Sequence, residues 1–138
     1  MILPLLIAIG GLCHFGILVA SALVPKVLDW RTQLGLLQPL CRHVVWTHGA
    51  FIVLVIVGFG SLSVGLASDL AAGTALARSI CAFIGLFWLS RLMIQLFIFD
   101  ARPFLTTRFL TLGYHGLTVV FIYLSGTYLA AALLGRRI

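Results

Sequence analysis

Apolar positions gather into four long runs, residues 2–24, 44–67, 75–99 and 109–134, separated by shorter stretches that hold nearly all the charge. Three of the runs contain no charged residue, and the third has one interior charge, Arg91. Roughly 20 apolar residues carry a helix across the hydrocarbon core of a bilayer. None of the runs alternates with the two-residue period of a barrel strand, and in lipid only helices and closed barrels satisfy every backbone group. The pattern predicts an all-α membrane protein of four transmembrane helices, arranged up and down as a bundle. The first run ends in Ala20-Ser21-Ala22, which fits a cleavage pattern, but no basic residue precedes it. It is read as a retained helix.

The first connection, "PKVLDWRTQLGLLQPLCRH", is too long for a plain turn and too apolar for a solvated loop. Pro25 suits a first helical turn, and Val27, Trp30, Leu34 and Leu37 share one helical face. This predicts a short helix lying in the membrane surface, ended by Gly35 and Pro39. In the second connection Thr74 is a candidate N-cap for the third span. In the third, Asp100 and Arg102 are placed to pair. No linker or low-complexity tract interrupts the chain, so residues 1–138 are read as one domain.

Composition agrees with the pattern. Of the 138 residues, 62% are hydrophobic and 9% charged, where soluble domains carry about a quarter charged residues. Mean hydropathy is +1.21. The net charge of +6 comes from basic residues at span ends, where they anchor to headgroups, so the implied partner is the lipid bilayer and not nucleic acid. A membrane complex or homo-oligomer is also compatible, since Gly16-x-x-x-Ala20 and Ser61-x-x-x-Gly65 permit close helix packing. Lys26, Arg31, Arg42, Arg102 and Arg108 lie on one side, Arg78, Arg136 and Arg137 on the other. Five against three places the first and third connections in the cytoplasm and both termini outside. Three cysteines, Cys13, Cys41 and Cys81, form no CxxC pair.

The candidate chemistry is carried by histidine and arginine. "VVWTHGAF" at 44–51 and "LGYHGLTV" at 112–119 each set a His-Gly pair in an apolar run, and His14 is a third ring inside a span. With about 1.5 Å per residue, His115 and Arg91 lie about 10 Å inside their spans and His48 about 6–9 Å, all in the half beside the first and third connections. His14 is nearer the middle. Polar groups in lipid turn toward the bundle interior, which predicts one shared interior site lined by Gly10, Gly11, His14 and Ser21, by His48 with Gly58 nearby, by Trp88, Arg91 and Gln95, and by Thr111, His115, Thr118 and Ser125. Trp88 itself is read as core packing and Trp46 as an interface anchor.

No aspartate or glutamate falls within a span, which removes carboxylate-bridged di-iron sites and paired-carboxylate catalysis. Three readings stay open. In the first, His48 and His115, or His14 in place of one of them, ligate a non-covalent haem b for electron transfer. Gly49 and Gly116 would let the macrocycle approach, and Arg91, Arg102 or Arg108 would pair with the propionates. In the second, His14, His48 and His115 bind zinc or copper, or handle protons beside a quinone or lipid held by Arg91. The third is a structural subunit of a larger membrane complex.

Overall fold

The computed structural model describes residues 2–135, so Arg136 and Arg137 of the charge argument lie outside the described residues. All regular structure among the described residues is helical: α1 (Ile2–Ser21), α2 (Val24–Val27), α3 (Trp30–Gly35), α4 (Pro39–Gly65), α5 (Ala67–Ala71), α6 (Ala75–Phe97) and α7 (Arg108–Leu134), with one 3-10 turn at Arg102–Phe104. Four helices are long and apolar enough to cross a membrane: α1 running on into α2 (Ile2–Val27), then α4, α6 and α7. Large apolar side chains such as Leu12, Leu54, Phe83 and Leu112 cover their outer surfaces, as lipid requires of a spanning helix.

The helix starts follow local chemistry. Thr74 caps α6 as predicted, its hydroxyl accepting from the Ala77 amide at 3.2 Å. Thr107 does the same for α7 from Leu110, a cap the sequence reading passed over. The second span begins earlier than residue 44, because Pro39 occupies its first turn, where the missing N–H costs nothing. Pro39 therefore opens α4 and does not merely end what precedes it. The first connection also differs from the single surface helix predicted. It breaks into α2 and α3 at Asp29, which sits in the left-handed region at φ 47°, a conformation that aspartate tolerates better than most residues. Neither short helix buries a residue. Trp30 of α3 meets Trp46 of α4 edge to face, ring centroids 5.4 Å apart.

The two closest helix pairings are α1 with α4 and α6 with α7. Contacts climb one helix as they descend the other. Gly11 faces Ser63 and Val64 while Phe15 packs over Gly60, and Gly85 faces Leu129 while Gln95 meets Thr118. Both pairs are thus antiparallel. Helix α1 also lies against α7, where Gly10 admits the Tyr128 ring and the Tyr123 hydroxyl donates to the Leu6 carbonyl at 2.8 Å. At the same end Arg78 Nε donates to the Ala132 carbonyl at 2.6 Å, answering one of the carbonyls a helix leaves open at its C-terminus.

Burial is one-sided. The buried residues of α4 are Ile56, Phe59, Gly60 and Ser63, and those of α7 run from Phe121 to Ala132. Residues 39–55 of α4 and 108–120 of α7 contribute none. The core is therefore fullest in the half beside the second connection; toward the first and third connections α6 stays buried to Leu92 and Gln95 while α4 and α7 become open.

Candidate functional site

Four helices meet around His14. Its ring stands edge-on to Trp88 of α6, Tyr128 of α7 and Phe59 of α4, with centroids 5.3, 5.9 and 6.0 Å away. Nδ1 lies 2.6 Å from the Gly10 carbonyl, and the Trp88 indole N–H donates to Nε2 at 2.9 Å. A carbonyl only accepts and an indole N–H only donates, so the partners fix the ring as the neutral Nδ1–H form. One turn along, the Tyr128 hydroxyl donates to Ser63 Oγ at 2.5 Å, tying α7 to α4. With His14 wholly buried and both nitrogens engaged, no lone pair is left for a metal or haem iron. His14 is a core hydrogen-bonding group.

The shared interior line of polar groups predicted from the sequence needs correction. His14, Gln95 and Ser125 are buried, Arg91, Thr111 and Thr118 are half-buried, and His48, His115 and Gly58 are exposed. The inward rule for polar groups presupposes helices enclosed along their whole length, and the first halves of α4 and α7 hold no fully buried residue. His115 also falls about 120° around α7 from Phe121, off the buried stripe. Among the described residues, no group of three or more His, Cys, Asp or Glu side chains is placed to hold a metal ion. His14, His48 and His115 are therefore not brought together as a three-nitrogen set.

His48 repeats the local geometry of His14 without its enclosure. Nδ1 lies 2.8 Å from the Val44 carbonyl, so Nδ1 carries a proton and Nε2 is the ring nitrogen left facing away from that carbonyl. His115 stands edge-on to Tyr114, 5.6 Å between centroids. A Cβ added at Gly49 or Gly116 would meet nothing within 4 Å, so space is open beside both rings. Arg108 is exposed at the start of α7, and Arg102 Nε reaches Asp100 at 3.8 Å across an exposed turn, as the sequence predicts.

Arg91 has a different setting. Its guanidinium carbon lies 5.1 Å from the Phe99 ring centroid and 5.6 Å from that of Phe121, while Nη1 is buried with no hydrogen-bond partner among the described residues. The nearby polar groups are occupied with one another. Gln95 Nε2 donates to Thr118 Oγ1 at 2.6 Å, Thr118 to the Tyr114 carbonyl at 3.0 Å, and the Tyr114 hydroxyl to the Gln95 carbonyl at 3.1 Å.

Sequence reasoning placed Trp88 in the core but missed it as the partner of His14, and missed Ser63 with Tyr128. The available signal was general: an indole or phenol inside a span needs a partner for its N–H or O–H. No family model, no curated protein and no solved structure matches this chain.

Proposed function

We propose that this chain is an integral membrane electron-transfer protein or subunit that binds haem b non-covalently at its open end. His48 and His115 are the residues that would hold it, each through its imidazole. The observation that carries the reading is the His48 ring, whose Nδ1–H is held by the Val44 carbonyl while Nε2 has no partner among the described residues. Ligating histidines commonly donate their other N–H to a carbonyl, which fixes the tautomer and raises basicity. Gly49 and Gly116 leave room for a flat macrocycle, and Arg102 and Arg108 are exposed at the same end to pair with propionates. His14 is not a ligand. When bound, haem would supply one-electron chemistry, and the chain's own part is to hold the rings and exclude water with apolar α4 and α7 surfaces.

With this reading goes an up-down order of the four spans. The first and third connections face the cytoplasm, both termini face outside, and α2 and α3 lie in the membrane surface. A second reading, a subunit handling a lipid or quinone, is favoured by the unpartnered Nη1 of Arg91.

The test is an absorption spectrum of the protein purified in detergent from haem-sufficient cells, oxidised and then dithionite-reduced. A Soret band with sharp reduced α and β bands is expected, lost in His48→Ala and His115→Ala and kept in His14→Ala. A wild-type protein that stays colourless after haem is added back, or a spectrum indifferent to His48 and His115, overturns the proposal.

A further inference from the structure

We infer that Arg91, with the rings of Phe99 and Phe121, binds the anionic oxygen of an acyl-chain amphiphile, a carboxylate or phosphate at the end of a hydrocarbon tail. The inference does not rest on the haem reading; it deepens the lipid-handling reading of Arg91 by naming the chemical class of the ligand.

The chain's three acids are Asp29, Asp69 and Asp100, and none lies within α1, α4, α6 or α7. No carboxylate of the spans can therefore neutralise Arg91, and Asp100 is already beside Arg102. The two phenyl rings interact with the guanidinium through their faces, which leaves its in-plane N–H edge to be satisfied. That edge includes Nη1, which is buried and unpartnered. An unpaired N–H buried within a half-buried guanidinium still costs free energy until an acceptor meets it. Gln95, Tyr114 and Thr118 bond to one another, and none of them accepts from Nη1. An oxygen brought by a ligand satisfies that donor, and an anionic oxygen answers the charge as well. Arg91 lies six residues before Phe97, the last residue of α6, or about 9 Å in from that end. An anion there has to arrive on a tail that itself partitions into lipid. The exposed side chains of Leu96 and Phe97 offer an apolar surface for such a tail.

The test uses the full-length protein in phosphatidylcholine bilayers, with electron paramagnetic resonance of spin-labelled stearate, phosphatidylglycerol and phosphatidylcholine. The anionic probe should show a motionally restricted population in excess over phosphatidylcholine. Arg91→Gln, neutral and similar in length, should lower that selectivity roughly tenfold or more. Arg91→Lys, which keeps the charge and loses the planar fork, should fall between them. Selectivity for stearate identifies a carboxylate, and selectivity for phosphatidylglycerol a lipid phosphate; either supports the site. Equal restriction of all three probes by the wild type, or selectivity unchanged in Arg91→Gln, overturns it. If Arg91→Gln fails to fold, the exposed Phe99→Leu decides: it must weaken selectivity, and no change overturns the site. The readout needs no haem, so a colourless protein leaves this result standing.

Discussion

The indole of Trp88 and the imidazole of His14 satisfy each other in a place where neither has water to turn to. In His14→Ala the indole N–H loses its acceptor and a ring-sized void opens between four helices. Lost hydrogen bond and cavity together should cost about 3 kcal/mol. Trp88→Phe keeps most of the packing and strands only Nε2 of His14, for about 1–2 kcal/mol. Unfolding of the detergent-solubilised, haem-free variants by added sodium dodecyl sulfate measures both, and His48→Ala, made on an exposed ring, should unfold like the haem-free wild type. If His48→Ala proves the costlier change, the assignment of His14 as the core histidine fails. The sequence is enough to place His14 inside a span and Trp88 in the core. It cannot pair them, because 74 residues separate the two and helical periodicity carries no information about which faces meet.

Close approach between helices depends on particular glycines and not on motif spacing. A Cβ at Gly11 would lie 2.7 Å from Val64 Cγ2 and 3.0 Å from the Val64 amide nitrogen, and one at Gly85 would lie 3.0 Å from that of Leu129. Backbone atoms cannot step aside as a side chain can, so Gly11→Ala and Gly85→Ala should each cost about 1–3 kcal/mol. Gly16 meets nothing within 4 Å, and Gly16→Ala should be neutral or stabilising by up to about 1 kcal/mol through helix propensity. The same denaturation series compares all three, and a Gly16 variant as damaged as Gly11→Ala would refute the ordering. The small-residue motifs at Gly16–Ala20 and Ser61–Gly65 are legible in the sequence, yet Gly16 and Gly65 face open space. Gly11 and Gly60, which do the packing, belong to no motif.

For the whole molecule, lipid constrains the backbone so strongly that four long helices follow from hydropathy alone. The one-sided core does not, because a lipid tail is as apolar as leucine and a lipid-facing run reads like a protein-facing one. That is why His48 and His115 were read as interior and stand exposed. The thiols report the asymmetry. Cys41 is exposed near the start of α4 and Cys81 is wholly buried. A maleimide should label Cys41 in the native solubilised protein and Cys81 only after denaturation. In intact cells an impermeant maleimide should miss Cys41 until the membrane is opened, if the first connection is cytoplasmic; labelling from outside would reverse the orientation. The pairing of α1 with α4 and α6 with α7 also bears on the short segment that joins the pairs, where Gly73 turns at φ 71° and lies against Gly135. Between helices in lipid, contact shape and a few hydrogen bonds replace the hydrophobic drive to associate. His14 to Trp88 and Tyr128 to Ser63 both cross from one pair to the other. The peptide through Gly73 then acts as a tether that raises the effective concentration of one pair near the other, while recognition between them rests on these two bonds and on Tyr123, whose hydroxyl reaches the Leu6 carbonyl.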